Sequence, residues 1–230
     1  MTKLGNMDRT EWLAERRAVV ERSYDTDAPT YDEYDPATPM HLHSVARFVG
    51  QMPQGGTVLD AACGTAPYAG LVLDARLAYV GVDQSAGMLS IARAKWPAAP
   101  FEHVGLQELP FGSVFEGVMC MDAMEHVPPE DWPNVVAGFH RALRPDGHLL
   151  LTLEETEKEE IDQGFTAASD EGSPAAYGEV TEGDTAGYHF YPGRELSDRW
   201  LAEGGFLMVD DTDEWLDDYG YRHVLLKRAG

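Results

Sequence analysis

The sequence TVLDAACGTA at residues 57–66, followed by YVGVD at residues 79–83, decides the fold of this chain. In each segment an apolar run ends in an acid, Asp60 in the first and Asp83 in the second, and the acids are 23 positions apart. This is close to the spacing of about 20 residues in a strand–helix–strand unit that holds a nucleoside. Small residues after Asp60 let a ligand approach the backbone, and an acid at the tip of the second strand can accept both ribose hydroxyls. Because no G-x-G-x-x-G sequence opens the helix, the unit predicts a nucleoside site rather than a pyrophosphate site.

Length and composition are those of one enzyme-sized domain. With 230 residues and 43% hydrophobic residues, the chain can bury a sizeable core. No apolar run approaches the roughly 18 residues of a membrane span, and residues 1–22 lack the apolar core of a signal peptide. The two cysteines, Cys63 and Cys120, have no second thiol at metal-binding or redox spacing. We therefore expect a cytoplasmic protein with no membrane contact, no disulfide and no bound metal.

The net charge of −23, from 40 acidic and 17 basic residues, argues against nucleic acid as a partner. A phosphate backbone would be repelled, and no cluster of Lys and Arg offsets that repulsion. The acids concentrate at residues 25–35, 154–160 and 210–218. We interpret these clusters as solvated faces and loops rather than as an acidic recognition tail.

Strand and helix patterns alternate from residue 57 onward, after two helices at 8–22 and 41–52 and an acidic loop that carries Tyr24, Tyr31 and Tyr34. Near-continuous apolar runs predict strands at 57–61, 78–82, 100–104, 114–120 and 147–153, with helices at 67–75, 86–96 and 130–143. This alternation predicts a doubly wound α/β fold with right-handed crossovers. Ligands of such folds bind at the carboxyl ends of the strands. We expect Asp60 and Asp83, which each end an apolar run, to converge there.

The regular pattern stops at residue 154. Residues 154–192 are acidic and weakly periodic but contain several aromatic residues, so we expect an ordered cap over the crevice. A helix at 193–203 and strands at 206–212 and 221–227 complete the chain. We expect a single domain with N-terminal helices and a lid at 1–52, a cofactor core at 53–153, a substrate cap at 154–192 and a C-terminal part at 193–230.

Five segments resemble, in order, motifs of the class I S-adenosylmethionine-dependent methyltransferases, in particular the small-molecule type 11 branch. They are VLDAACGTA at 58–66, VGVDQS at 80–85, LQELPF at 106–111, MDAMEHV at 121–127 and ALRPDGHL at 142–149. The resemblance implies a Rossmann-like methyltransferase fold with a mainly parallel seven-stranded sheet. It also implies that the chain binds S-adenosylmethionine, releases S-adenosylhomocysteine and methylates a small organic acceptor.

The resemblance also implies roles for individual residues. Asp83 would bind the ribose hydroxyls, and Asp60 would either meet the methionine amino group or only cap a helix. Tyr24 and Tyr31 would close over the cofactor or lie on the surface. The rest of the expected cofactor site is Ala62, Cys63, Gly64, Gln84, Met88, Leu106, Gln107 and Met121, of which Met88 and Leu106 are equally explained as core residues. Alanine replaces the family's usual glycine at positions 62 and 66, and we expect that loop to keep ordinary backbone angles.

Methyl transfer from a sulfonium requires alignment and exclusion of water, and it requires a base only when the acceptor starts protonated. His126 is the first candidate for that base and His189 the second, with purely structural roles as the alternative for each. Three functions remain open at this point. They are O- or N-methylation, another reaction on the same fold, and cofactor binding without chemistry. The sequence does not indicate the acceptor or the oligomeric state.

Overall fold

The computed structural model describes residues 8–34, 37–181, 187–216 and 219–230. Its strands are β1 (Thr57–Ala61), β2 (Ala78–Asp83), β3 (Phe101–His103), β4 (Phe115–Cys120), β5 (Leu143–Thr156), β6 (Glu179–Thr181), β7 (Tyr188–Phe190), β8 (Phe206–Trp215) and β9 (Tyr219–Arg228). Its helices are α1 (Arg9–Asp27), α2 (Tyr31–Tyr34), α3 (Pro39–Val49), α4 (Ala69–Asp74), α5 (Ala86–Lys95), α6 (Trp132–Ala142), α7 (Lys158–Asp170) and α8 (Gly193–Glu203).

Seven strands form one sheet in the order β3-β2-β1-β4-β5-β9-β8, and β6 and β7 form a separate hairpin. The first five strands of the chain are parallel, whereas β9 is antiparallel to both β5 and β8. The order reverses between β1 and β4, the position where doubly wound folds bind their ligands. The predicted doubly wound, mainly parallel seven-stranded sheet is therefore confirmed.

The central strands occur where the apolar runs predict them, but β5 is longer than the predicted 147–153. Only its middle is apolar and fully buried, while its end at Glu154–Thr156 is partly exposed. That polar end pairs in register with Tyr219–Tyr221 of β9. The extension rests on hydrogen bonds to a distant strand, which a local apolar pattern does not reveal.

The N-terminal region is more helical than predicted. Helix α1 is capped by the Asp8 side chain and continues to Asp27, so Tyr24 lies on a helix rather than in a loop. Tyr31 begins the short α2, and residues 35–36 of the expected loop lie outside the described residues. The helix continues because its inner face, which includes Trp12 and Val20, packs into the main core.

The expected irregular cap at 154–192 contains regular structure. Its first residues end β5, and α7 and the β6–β7 hairpin follow, with residues 182–186 outside the described part. The hairpin is fixed to α1, because Arg9 donates hydrogen bonds to both carboxylate oxygens of Glu179. Trp12 also packs edge-on against Tyr188.

Two apolar layers cover the sheet, one on each face. Trp132 and Phe139 of α6 belong to the larger layer, and Phe48 of α3 and Val72 of α4 belong to the other. Across the described ranges, no helix combines the length and the apolar character needed to span a bilayer.

Candidate active site

A pocket lies at the carboxyl ends of β1, β2 and β4, and residues of α1, α2 and α3 form part of its wall. Every residue expected to bind the cofactor lines it: Tyr24, Tyr31, Asp60, Ala62, Cys63, Gly64, Asp83, Gln84, Met88, Leu106, Gln107 and Met121. His126 lines the same pocket. The structure thus brings these side chains together, while their individual roles remain predictions.

Asp83 is held rigidly at the end of β2. One carboxylate oxygen accepts a hydrogen bond from the backbone N–H of Ser85 at 2.7 Å, and the other accepts from that of Gly64 at 2.8 Å. Burial raises the pKa of Asp83, and these two backbone donors oppose the rise. Each carboxylate oxygen can accept a further bond, so the group is oriented to receive two hydroxyl donors from the pocket.

The loop after β1 departs from the expected ordinary backbone angles. Ala62 has φ +61° and Ala66 has φ +58°, the left-handed region that glycine occupies freely, and Gly64 has φ +52°. The expectation that alanine would keep this loop in ordinary angles is therefore wrong. A side chain in this region costs roughly 1–2 kcal/mol per residue. The turn keeps its shape despite alanine because Gly64, Trp96 and Lys95 donate hydrogen bonds that hold it.

Asp60 is almost fully buried beneath the pocket floor. Its carboxylate accepts a hydrogen bond from the Tyr79 hydroxyl at 2.7 Å. Burial raises the pKa of Asp60 to about 7, the charge of Asp83 adds to the rise, and the Tyr79 bond opposes it. It caps no helix in the structure, because α4 begins only at Ala69. A buried carboxyl that lacks a cation is stabilised when a cationic ligand enters the pocket.

His126 forms a hydrogen-bonded chain with Tyr24. Its Nδ1 lies 2.8 Å from the backbone carbonyl of Tyr188, and a carbonyl can only accept, so Nδ1 carries the proton. Nε2 is then free to accept from the Tyr24 hydroxyl at 2.8 Å. Burial lowers the pKa of His126 to about 4, with a smaller effect of His189. The imidazole is therefore neutral near pH 7, with its lone pair directed at the tyrosine that lines the pocket.

His189 stacks on His126, with ring centroids 5.1 Å apart, and is absent from the described pocket wall. The same is true of every described residue from 154 to 192. The described residues of the expected cap therefore do not line this pocket. Two of them, Tyr188 and His189, contact His126, which does line it. The N-terminal helices contribute to the pocket wall instead.

The end of the pocket expected to take adenine is formed by the turn after β3. Leu106 and Met88 are apolar and buried there. The Gln107 amide nitrogen lies 3.4 Å from a carboxylate oxygen of Asp131, an arrangement that leaves its carbonyl oxygen as an acceptor. We expect that oxygen to accept a hydrogen bond from an adenine amino group without a charged residue, and this role remains a prediction.

Two aspartates tie the N-terminal helices to the loops around the pocket, which the composition did not reveal. Asp25 accepts hydrogen bonds from the Ser85 hydroxyl at 2.7 Å and from the backbone N–H of Gly87 at 2.8 Å. Asp32 accepts from the Thr65 hydroxyl and pairs with Lys95, both at 2.5 Å. Both aspartates remain exposed to solvent, as expected for the acids at 25–35, and they hold these contacts as well. We call residues 24–34 the lid.

The other two acidic clusters also contain ion pairs. Arg194 bridges Glu155 and Asp213, and Arg222 pairs with Asp211. These acids stabilise contacts between β5, α8, β8 and β9, so the interpretation of all three clusters as simple solvated faces was incomplete.

Sequence reasoning missed His41 of α3, which lies beside Asp122 in the pocket wall. The two side chains approach to 3.5 Å. Asp122 has φ +49°, and its backbone N–H and carboxylate both bond the Thr152 hydroxyl. A half-buried acid with a strained backbone at a pocket wall indicates a functional position. No motif marks His41, since it reaches the pocket from a separate helix.

A family model described as "Methyltransferase domain" matches residues 58–147. The dTDP-3-amino-3,6-dideoxy-alpha-D-glucopyranose N,N-dimethyltransferase of Streptomyces fradiae is 35% identical over 101 residues, which are 43% of this chain and 40% of that protein. The demethylmenaquinone methyltransferase of Symbiobacterium thermophilum is 32% identical over 108 residues, which are 42% and 41% of the two chains. The chain spans less than half the length of these curated relatives.

Solved structures of very different sequence share the fold. The 1,6-didemethyltoxoflavin-N1-methyltransferase of Burkholderia thailandensis, solved with its acceptor and S-adenosylhomocysteine, has a TM-score of 0.73 at 16% identity and covers 94% of this chain and 90% of its own. The [4+2]-cyclase SpnF has a TM-score of 0.69 at 15% identity, with coverage of 91% and 95%. Residues 58–147 thus match a methyltransferase domain, and the chain shares the fold of solved S-adenosylmethionine-dependent methyltransferases.

Proposed function

We propose that this protein transfers a methyl group from S-adenosylmethionine to an oxygen or nitrogen nucleophile of a small organic acceptor. The observation that carries the proposal is the convergence of Asp83, Asp60 and the Tyr24–His126 chain on one pocket at the switch point of the sheet. The cofactor of this family supplies an activated methyl group on a sulfonium.

The residues present fit that cofactor. Asp83 is buried and pre-oriented for a ribose diol, while Gly64 has a positive φ and no heavy atom near the position of an added Cβ. Asp60 offers a carboxyl that gains charge beside a cationic amino group. Gln107 and Met88 provide the acceptor and the apolar contact for a flat base.

The chain's own contribution to the reaction is alignment, exclusion of water and proton handling. The lid covers the pocket through Asp25 and Asp32. Tyr24 takes the proton that leaves the acceptor and passes its own to Nε2 of His126. Because burial lowers the pKa of His126 to about 4, this pair is a weak base. It suits amines and acidic hydroxyls better than aliphatic alcohols.

The names of the sequence relatives do not choose one nucleophile, since the Streptomyces relative is named an N,N-dimethyltransferase and the Campylobacter relatives are named C-methyltransferases. The proposal of oxygen or nitrogen therefore rests on the proton-accepting Tyr24–His126 chain. A cytoplasmic location belongs to the same proposal.

The test is an acceptor screen with S-adenosylmethionine carrying an isotopically labelled methyl group. We expect the label to appear in a small amine, nitrogen heterocycle, phenol or carboxylic acid, with one S-adenosylhomocysteine formed per product. Tight cofactor binding without label transfer over a broad screen would favour a regulatory protein. Conversion of the acceptor to a product without the label would favour a rearrangement. The [4+2]-cyclase SpnF, which shares this fold, is the example of that alternative.

A further inference from the structure

A polar ladder runs along one face of the sheet beside the pocket. His223 of β9 lies opposite Thr152 of β5 and Thr212 of β8, and Glu214 lies two residues beyond Thr212. Side chains two residues apart on a strand point to the same face, so His223 and Glu214 share this face. Helix α3 covers it and contributes His41.

Three of these side chains form a compact cluster, which we call the histidine–carboxylate cluster: His41, His223 and Glu214. One potential ligand atom from each lies within 4.8 Å of the others. The two imidazoles are each only 2% exposed, with centroids 5.0 Å apart. A carboxylate oxygen of Glu214 lies 3.4 Å from Nε2 of His223 and accepts a hydrogen bond from Thr38 at 2.8 Å.

His223 is a buried polar side chain that lacks good hydrogen-bond partners among the described residues of this face. Within the described residues, Nδ1 of His223 makes no hydrogen bond, and Nε2 has only the 3.4 Å contact with the Glu214 carboxylate. Buried polar atoms are nearly always paired, and leaving one unpaired carries a free-energy cost. A ligand between His223, Glu214 and His41 would remove that cost.

We propose that the histidine–carboxylate cluster binds a divalent first-row transition-metal ion, a site that the cysteine pattern did not predict. Two imidazoles and a carboxylate suit zinc, ferrous or manganous ions, whereas magnesium and calcium prefer oxygen ligands alone. Ligand bonds of about 2.1 Å place neighbouring ligand atoms about 3.4 Å apart. The three side chains reach that spacing through small changes of their rotamers. Thr38 orients the carboxylate in the manner of an outer-shell partner.

Coordination through Nε2 of His41 moves the imidazole proton to Nδ1. That change costs the weak hydrogen bond, 3.4 Å long, that the backbone N–H of Thr38 donates to Nδ1. Asp122 lies 3.5 Å from Nε2 of the same histidine and supplies a further carboxylate at the pocket wall. Since His41 and Asp122 both line the pocket, the ion borders the acceptor space. An oxygen atom of the acceptor can then complete its coordination, a role that rests on the proposed function.

The test is metal titration of the tag-free, chelator-treated chain without cofactor. We expect one zinc ion per chain by calorimetry and an intense visible absorption band with cobalt as a probe. Glu214→Gln keeps the shape of the side chain but should weaken zinc binding by at least about 100-fold, more than the loss of an outer-shell partner usually does. His223→Ala should do the same, with folding checked by circular dichroism.

His43→Ala is the matched control, because His43 is an exposed histidine two residues from His41 on the same helix. It should bind zinc as the unchanged chain does. Absence of one-to-one zinc binding, or equal binding by Glu214→Gln, would overturn the proposal. Titration of S-adenosylmethionine on the same samples separates the two claims, because cofactor binding without metal binding removes only the metal site.

Discussion

Cofactor affinity should depend on pH through Asp60. In the empty pocket, burial and Asp83 raise the pKa of Asp60 to about 7, so near pH 6 it is mostly protonated. A cationic amino group beside it would lower that pKa again. Binding then expels a proton, and affinity should rise as the pH increases toward 7.

The size of the effect follows from the two pKa values. If the bound cofactor returned Asp60 to its ordinary pKa of about 3.9, affinity would fall about 50-fold between pH 7 and pH 5. This is the upper limit, because it assumes complete recovery. The amino group of the cofactor, with an ordinary pKa of about 7.7–8.0, stays cationic over this range and does not contribute.

Calorimetry with S-adenosylhomocysteine at a series of pH values measures the dependence directly, and buffers of different ionisation enthalpy count the proton released. The Asp60→Asn variant should bind S-adenosylhomocysteine more weakly near pH 7. Its affinity should lose most of its dependence on pH, and only the contribution of Asp83 should remain. Tyr79→Phe removes the hydrogen bond that holds the pKa of Asp60 down, so its titration should move to higher pH. A slope in Asp60→Asn equal to that of the unchanged protein would refute the assignment.

Three further predictions follow from other features. Asp25→Asn and Asp32→Asn should each increase the rate of cofactor dissociation measured by stopped flow. Thermal stability should change little, because the substitutions release the lid and not the core. Unchanged dissociation rates would contradict the role of these aspartates in holding the lid. Ala62→Gly should stabilise the fold by about 1 kcal/mol by relieving its positive φ, whereas Ala94→Gly, at an exposed position of α5, should destabilise it by about as much in the same urea titrations. Because the pKa of His126 in the folded protein lies below its ordinary value, its contribution to the free energy of unfolding is present above pH 6.5 and falls by up to about 3 kcal/mol toward pH 4. His126→Gln should flatten this dependence of stability on pH. An unchanged pH dependence in the variant would argue against the depressed pKa.

The parts of the site that could be predicted are those where chemistry and local pattern coincide. Asp60 and Asp83 each end an apolar strand, and in a parallel sheet all such ends meet at one edge. The pocket residues at these strand ends were therefore predicted from short segments alone. His126 was found for the same reason, since it follows β4 closely in the sequence.

The parts that could not be predicted depend on distant partners. His41, Glu214 and His223 come from α3, β8 and β9, and only the register of the sheet brings them together. The available signal was the adjacent polar pair Arg222 and His223 in a largely buried strand. The positive φ of Ala62 and Ala66 arises because the surrounding bonds determine the turn more strongly than the preference of alanine does.

The contacts that close the lid set how the protein responds to its surroundings. They are hydrogen bonds and one ion pair rather than apolar burial, and Asp32 and Lys95 are both partly exposed to solvent. Salt screens such a pair, whereas the sheet beneath is held by buried apolar surface that salt hardly weakens. The rate at which ligands exchange can therefore be tuned by ionic strength independently of the stability of the fold.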